Sequence, residues 1–142
     1  MTTDLIKIFN PRSIAIIGAS DNPDKLGHVL LQGFIDQDFR GNLYPINPNK
    51  GRFILGLDVH ASVKDVAEDI DLAVITLPAE EAIFTARECI EKKVKGIILF
   101  SAFAEGAQLE NPEIIEMLSL ARRNGVRIIG PNSMGLYSPS TG

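Results

Sequence analysis

Residues able to bind an anion follow the first apolar run of the sequence. That run ends at Gly18, and the loop continues with Ala19, Ser20 and, further on, Lys25 before a helical pattern begins. A glycine lets the chain turn sharply, while the Ser20 hydroxyl, free N–H groups and the positive end of the next helix can face a phosphate. The loop is longer than the G-x-G-x-x-G fingerprint, and Ser20 replaces its second glycine. The pattern indicates an anion-binding loop, and an ordinary strand-to-helix turn is the alternative.

The segment after the second apolar run carries Asn47 and Lys50 and has no carboxylate between positions 47 and 51. A nicotinamide site usually has Asp or Glu there for the ribose hydroxyls. A lysine instead suits a phosphate on the ribose, either the 2′-phosphate of NADP or the 3′-phosphate of coenzyme A. The alternative for Lys50 is an ordinary solvated loop lysine.

Two further loops are expected to face the same crevice, and a third candidate loop follows the last strand-like run. The loop after residue 100 runs about ten residues before the next helix, where ~2–6 is usual, and excess length at this edge indicates ligand contact. A proline that opens a helix and a glycine–proline turn also have purely structural explanations. The candidate residues in the three loops are Pro78, Ala79, Ser101, Ala102, Phe103, Asn132 and Ser133.

Six strand-like runs alternate with helical patterns, at residues 13–17, 42–46, 57–60, 71–76, 96–100 and 126–129. Three are nearly continuous Ile, Val and Leu, as in strands buried on both faces of a parallel sheet. The alternation predicts a doubly wound, Rossmann-like α/β fold with helices on both faces. Right-handed crossovers favour the strand order 3-2-1-4-5-6. If the third and weakest strand stays outside the sheet, five strands remain and the crevice beside the first and fourth is unchanged.

Capping residues and helical spacing predict the helices. Ser62 and Asp65 form a capping box that opens a short helix. Asn111 caps a helix with Pro112 in its first turn, and the pair Asn124-Gly125 ends it. The other predicted helices cover residues 4–9, 27–39 and 79–93.

Composition excludes several classes of protein. The 142 residues are 45% hydrophobic and 23% charged, which is typical of one soluble domain. The net charge of −4 gives no support for nucleic-acid or anionic-membrane binding. The single cysteine, Cys89, excludes intrachain disulfides, and with only His28 and His60 beside it no metal site is expected. Without a membrane-length apolar run or a signal peptide, a cytoplasmic location is expected.

Taken in order, these segments resemble the N-terminal coenzyme A-binding domain of the nucleoside-diphosphate-forming acyl-CoA synthetases. That family includes ADP-forming acetyl-CoA synthetase and is related to the α subunit of succinyl-CoA synthetase. The resemblance extends from about residue 5 to residue 136, and the ordered set is more specific than any one segment. The segments are FNPRSIAIIGAS at 9–20, YPINPNK at 44–50, LAVI at 72–75, PA at 78–79 and GPN at 130–132.

The resemblance implies a role for each candidate residue. The loop of Gly18, Ala19 and Ser20 would hold the nucleotide end of coenzyme A or acyl-CoA, and Lys50 would neutralise a phosphate of its 3′-phospho-ADP part. The loops at 78–79 and 101–103 would line the adenine and pantetheine path. Asn132 and Ser133 would lie near the thiol end. Relatives often have glycine where this sequence has Ala102.

The resemblance also implies what the whole protein does. The family converts acyl-CoA, ADP and phosphate to acid, coenzyme A and ATP through an acyl phosphate and a phosphohistidine. The family's phosphorylated histidine and nucleotide-binding part lie in further domains or a partner subunit. Residues 1–142 are therefore expected to be a single coenzyme A-binding domain without catalytic residues. Within it, residues 1–12 would form an N-terminal helix and lead-in, and 137–142 a linker to the downstream domains. His28 and His60 match no phosphohistidine motif.

Three other functions are compatible with the same residues. A free-standing coenzyme A-binding protein would act as a carrier of coenzyme A or as a regulator. The same module in a protein-lysine acetyltransferase would sense or regulate. A small NADP oxidoreductase domain is disfavoured because the sequence has no G-x-G-x-x-G motif and no substrate domain. The gene sequence beyond residue 142 would distinguish the leading interpretation from the first two.

Overall fold

The computed structural model describes residues 2–49, 51–104, 106 and 110–138. Strands and helices alternate along this part of the chain. In chain order they are α1 (Thr2–Phe9), β1 (Ser13–Ile17), α2 (Leu26–Asp36), β2 (Asn42–Ile46), β3 (Phe53–Ile54), β4 (Leu57–Asp58), a 3-10 helix (Val63–Asp65), β5 (Leu72–Ile75), α3 (Ala79–Glu91), β6 (Gly96–Leu99), α4 (Pro112–Arg123) and β7 (Arg127–Ile129).

Five strands form one parallel sheet in the order β2-β1-β5-β6-β7. The chain moves outward from β1 to β2 and then returns to the other side of β1 with β5. This reversal is the topological switch point at which doubly wound sheets bind ligands. The doubly wound α/β fold expected from the sequence is confirmed.

The prediction that residues 57–60 form a strand of this sheet is wrong. Residues 57–60 begin in β4, which pairs with β3 in a separate antiparallel hairpin. Leu55 and Gly56 at its turn have φ of +49° and +80°, the left-handed conformation that tight two-residue hairpins use. Beyond the hairpin, His60 forms an isolated parallel bridge to Ile46 at the sheet edge, without extending into a strand of the sheet. The sheet therefore has the five strands of the alternative expectation.

Helix starts follow the predicted caps, whereas two helix ends do not follow the expected lengths. The Asn111 side chain accepts hydrogen bonds from Glu113 N at 2.9 Å and Ile114 N at 3.4 Å, and the Ser62 capping box is present. The patterns predicted α2 to residue 39 and α3 to residue 93. Both helices end earlier because Asp38 and Lys93 adopt φ of +53° and +63°, a reversal usually made by glycine.

Alternate residues of the strands bury the two faces of the sheet, as the period of a strand requires. One face packs against α3 and α4, and its core includes Ile75 and Leu99 with Ile90 and Met117 from the helices. The other face packs against α1, α2 and the β3–β4 hairpin. Within the part of the chain that the structure describes, no helix has the length and apolarity needed to cross a bilayer.

Candidate functional site

The candidate site lies at the carboxyl ends of β1, β2 and β5, beside the switch point of the sheet. A cavity of about 570 Å³ opens there and is lined by Gly18, Asn47, Pro48 and Leu77, among other residues. A larger cavity of about 830 Å³ lies beside α1 and α2, against the sheet face that includes Val74. The smaller cavity is the candidate because the loop after β1 borders it and because ligands of this fold bind at the switch point.

Two glycines allow the loop after β1 to lie close against its neighbours. Gly18 has φ of +92°, and a β-carbon there would lie 2.4 Å from the Thr76 Oγ1 atom. Thr76 in turn donates from its N and from its Oγ1 to the Ile17 carbonyl, each at 3.0 Å. A β-carbon on Gly27, in the first turn of α2, would lie 2.0 Å from the Gly18 carbonyl oxygen. Both positions therefore need glycine.

Sequence reasoning identified Gly18 and missed Gly27. The signal was present, because a later glycine in the same turn is the one that allows close helix–strand packing in dinucleotide-binding folds. Here Gly27 is nine positions after Gly18, further than the fingerprint spacing.

In the loop after β1, two carbonyls are hydrogen-bonded within the protein, whereas the neighbouring N–H groups are not. Ala19 and Ser20 are buried, with exposed fractions of 0% and 7%. The Ala19 carbonyl accepts from Asn47 Nδ2 at 2.8 Å, and the Ser20 carbonyl accepts from His28 Nδ1 at 3.0 Å. In the described part of the chain, the N–H groups of Ala19, Ser20 and Asp21 donate to no acceptor. Asp21 is exposed, but buried N–H groups such as those of Ala19 and Ser20 are seldom left unpaired. The loop is therefore suited to accept an anion.

The other candidates near this loop differ in what they can offer. The Ser20 hydroxyl oxygen accepts from Asn22 N at 3.1 Å, so its own hydrogen remains available to a ligand. Asn47 uses both ends of its side chain inside the protein, because Oδ1 also accepts from Asn49 N at 2.9 Å. Lys25 is exposed at the N-terminal end of α2. Lys50, the predicted phosphate contact, lies outside the described residues.

The remaining candidates form a second cluster around the ends of β6 and β7. Ser101 is buried and donates to the Leu77 carbonyl at 2.6 Å. The Asn132 side chain accepts from Phe103 N at 2.9 Å and donates to the Phe103 carbonyl at 3.3 Å, while Asn132 N donates to the Ser101 carbonyl at 3.1 Å. Ser133 N donates to the Leu99 carbonyl at 3.1 Å. These contacts make the loops after β6 and β7 one unit.

The 570 Å³ cavity joins some of the candidates and not others. Of the candidates, Gly18 and Asn47 line it. Those that do not are Ala19, Ser20, Lys25, Ser101 to Phe103, Asn132 and Ser133. Exposed Pro78 precedes α3 and half-buried Ala79 begins it; the cavity is lined by their neighbours Leu77 and Glu80 instead. The wall formed by α3 also carries Glu81, Phe84 and Glu88, which sequence reasoning did not single out. Phe84 is 66% exposed.

Reactive side chains are placed away from this cavity or are already engaged. Burial, and secondarily the charge of Glu88, raises the pKa of the Cys89 thiol far above its ordinary value. His60 lies edge-on against Tyr44, with ring centroids 5.9 Å apart. Among the described residues, no group of three His, Cys, Asp or Glu is arranged to hold a metal ion. The arrangement is that of a doubly wound α/β domain, with the candidate loop at the switch point of its sheet.

Comparison with known proteins agrees with this class. Residues 12–139 match the family model of a CoA-binding domain. The chain is 35% identical, over 98% of its length, to the ADP-forming acetate–CoA ligase II of Archaeoglobus fulgidus. It is 38% identical, over 92% of its length, to the α subunit of the ADP-forming acetate–CoA ligase II of Pyrococcus furiosus. It covers only 21% and 28% of these two relatives.

Structural comparison gives the same result. The acetyl-coenzyme A synthetase 1 of Ca. Korarchaeum cryptofilum, solved with phosphate and ADP, matches 96% of the chain with a TM-score of 0.85 and 33% identity. The chain covers 29% of that structure. The chain therefore belongs to the CoA-binding domain family, and the resemblance drawn from its residues is confirmed.

Proposed function

We propose that the crevice at the carboxyl ends of β1, β2 and β5 binds coenzyme A, with the pyrophosphate held by the loop of Gly18, Ala19 and Ser20. The observation that carries this proposal is the set of N–H groups from Ala19 to Asp21, which have no acceptor among the described residues. The positive end of α2 lies beside them and also favours an anion. Lys25 at the start of α2 adds a cation to the same end of the site.

The other candidate residues then contact the remaining parts of coenzyme A. Lys50, after β2, neutralises the 3′-phosphate of the ribose. The segments at 78–79 and 101–103 line the adenine and pantetheine path. Asn132 and Ser133 lie near the thiol end, and the hydrogen bonds of Asn132 to Phe103 support a single wall there. This chain thus binds and orients the thioester.

We propose further that the chain is one part of a nucleoside-diphosphate-forming acyl-CoA synthetase. The complete enzyme converts acyl-CoA, ADP and phosphate to acid, coenzyme A and ATP. The names of the relatives and the small share of each that this chain covers support this proposal. The phosphohistidine and the nucleotide-binding part then belong to further domains or to a partner subunit.

Thermal unfolding with different ligands tests the binding proposal. Coenzyme A at about a hundred times its dissociation constant should stabilise the chain by roughly 2.7 kcal/mol, which raises Tm by about 5–10 °C for a chain of this size. NAD should not raise Tm. A shift with NAD or NADP and none with coenzyme A would contradict the proposal.

A pair of glycine variants locates the binding at the loop. Gly18→Ala places a β-carbon 2.4 Å from Thr76 Oγ1 and should abolish most coenzyme A binding. Gly56→Ala is the matched control, because Gly56 also has positive φ but an added β-carbon would meet no atom within 4 Å. Equal losses of affinity in the two variants would show that the loop after β1 is not the site.

A further inference from the structure

The loop after β1 contains three consecutive peptide units. The carbonyl of each contacts a different neighbour, and two of the three accept a hydrogen bond from it. A trans peptide is planar, so its carbonyl and the N–H of the next residue point in opposite directions. Holding one carbonyl therefore fixes the direction of the following N–H. In this loop the Gly18 carbonyl and the Ala19 N–H share one peptide unit. The carbonyls of Ala19 and Ser20 are paired in the same way with the N–H groups of Ser20 and Asp21.

The three neighbours come from two elements. The Gly18 carbonyl is in close contact with Gly27 of α2, where an added β-carbon would lie 2.0 Å from the oxygen. The Ala19 carbonyl accepts from Asn47 Nδ2 at 2.8 Å, at the end of β2. The Ser20 carbonyl accepts from His28 Nδ1 at 3.0 Å, and His28 belongs to the first turn of α2.

We propose that His28 is a positioning residue of the coenzyme A site. By donating its Nδ1 hydrogen to the Ser20 carbonyl, His28 holds the peptide between Ser20 and Asp21 with its N–H directed to the pyrophosphate. Without this bond the peptide can rotate, and a carbonyl oxygen with its partial negative charge would face the phosphate. The proposal rests on the proposed function, since the anion is the pyrophosphate of coenzyme A.

The chemistry of the ring makes a specific demand. A carbonyl only accepts hydrogen bonds, so Nδ1 must carry a hydrogen. Both the neutral Nδ1–H tautomer and the imidazolium satisfy this demand, whereas the Nε2–H tautomer does not. ¹⁵N-resolved NMR of the ligand-free chain reports which nitrogen carries the hydrogen, and Nδ1–H is the expected result. A neutral His28 with hydrogen on Nε2 alone would overturn the proposal irrespective of ligand binding.

Two substitutions of matched shape separate the hydrogen bond from packing. Asparagine can place its Nδ2 where the ring places Nδ1, and leucine has the same branching without a donor. His28→Leu should weaken coenzyme A binding about tenfold, in line with the loss of one partly buried hydrogen bond. His28→Asn should stay within about twofold of the unsubstituted chain. Val29→Ala, an exposed neighbour on α2, should have no effect.

Calorimetric titration of each variant with coenzyme A, dephospho-coenzyme A and pantetheine gives the deciding comparison. The loss in His28→Leu should be the same for the first two ligands, which both carry the pyrophosphate, and absent for pantetheine, which lacks it. Equal affinities of His28→Leu and the unsubstituted chain for coenzyme A would overturn the positioning role and leave the proposed function intact. Failure of the unsubstituted chain itself to bind coenzyme A would overturn both.

Discussion

A β-carbon on Gly27 would lie 2.0 Å from the carbonyl oxygen of Gly18. Helix α2 therefore begins in direct contact with the backbone of the loop that ends β1, and no side chain separates them. The loop is confined between this helix and the end of β5, where Thr76 would meet a β-carbon on Gly18 at 2.4 Å. The shape of the candidate anion site thus depends on two residues that have no side chain.

Gly27→Ala should destabilise the fold and disturb the site together. The added methyl group must displace backbone, and overpacking of this kind costs about 1–3 kcal/mol. Gly33→Ala in the same helix is the control, because its added β-carbon meets no atom within 4 Å; it should stabilise the helix by up to ~1 kcal/mol. Urea unfolding measures both effects, and the prediction is wrong if the two variants change the free energy of unfolding equally.

The fold could be predicted from the sequence because its strands are signalled locally. Nearly continuous apolar runs such as Leu72–Ile75 indicate strands buried on both faces, and Asn111 and Ser62 mark helix starts. The errors arose where a residue type did not reveal its backbone conformation. Asp38 and Lys93 end helices in the left-handed region, and an isolated sequence gives no reason to expect that of a lysine.

The candidate site was predicted less completely than the fold. Gly18 and Ser20 were recognisable because they follow directly on a strand. The hydrogen bond from His28 to Ser20 spans eight positions, and the one from Asn47 to Ala19 spans 28. Such contacts depend on how α2 and β2 pack against β1, which local spacing does not contain. Spacing alone therefore does not indicate a role for His28 in the loop after β1.

Lys50 should bind the 3′-phosphate of coenzyme A. Lys50→Ala should weaken coenzyme A binding by about 1–3 kcal/mol, the value of a hydrogen bond to a charged group. For dephospho-coenzyme A, which lacks that phosphate, most of the difference should disappear. Lys25→Ala is the comparison, because Lys25 lies at the start of α2 beside the pyrophosphate loop and its loss should be similar for both ligands. A Lys50→Ala loss that is equal for the two ligands would contradict this assignment.

Cys89 should make the fold less stable in alkaline solution. Burial raises the pKa of its thiol in the folded chain, whereas an unfolded cysteine titrates near about 8.5. Above that pH the unfolded chain releases a proton that the folded chain retains, so the free energy of unfolding falls as pH rises. Below it, both states are protonated and the thiol contributes no pH dependence.

The expected decrease from this one group is about 1 kcal/mol between pH 8 and pH 9.5. Urea unfolding across this range measures it. Cys89→Ala should remove that part of the slope even if the small cavity it leaves lowers stability at every pH. An identical slope in the variant would show that the thiol titrates normally in the folded chain.

The chain by itself should bind coenzyme A without turnover. Acyl transfer to phosphate needs a nucleophile beside the thioester, and the candidates here are unsuited to it. Cys89 has an exposed fraction of 0%. The Ser133 hydroxyl oxygen accepts from Gly135 N at 3.0 Å, and in the described part of the chain no histidine or carboxylate hydrogen-bonds to it. His28 uses Nδ1 on the Ser20 carbonyl.

Two assays of the 142-residue chain check this expectation. Incubation with acetyl-CoA, ADP and phosphate should yield no ATP, and γ-labelled ATP should transfer no label to the protein. Adding the further domains, in one chain or as a partner subunit, should restore both reactions, because the phosphorylated histidine is expected there. His60 is not expected to accept the label, since it lies against Tyr44 and does not line the candidate cavity. Labelling of this chain alone, lost in His28→Ala or His60→Ala, would mean that the domain catalyses phosphoryl transfer itself and does more than hold the thioester in place for another domain.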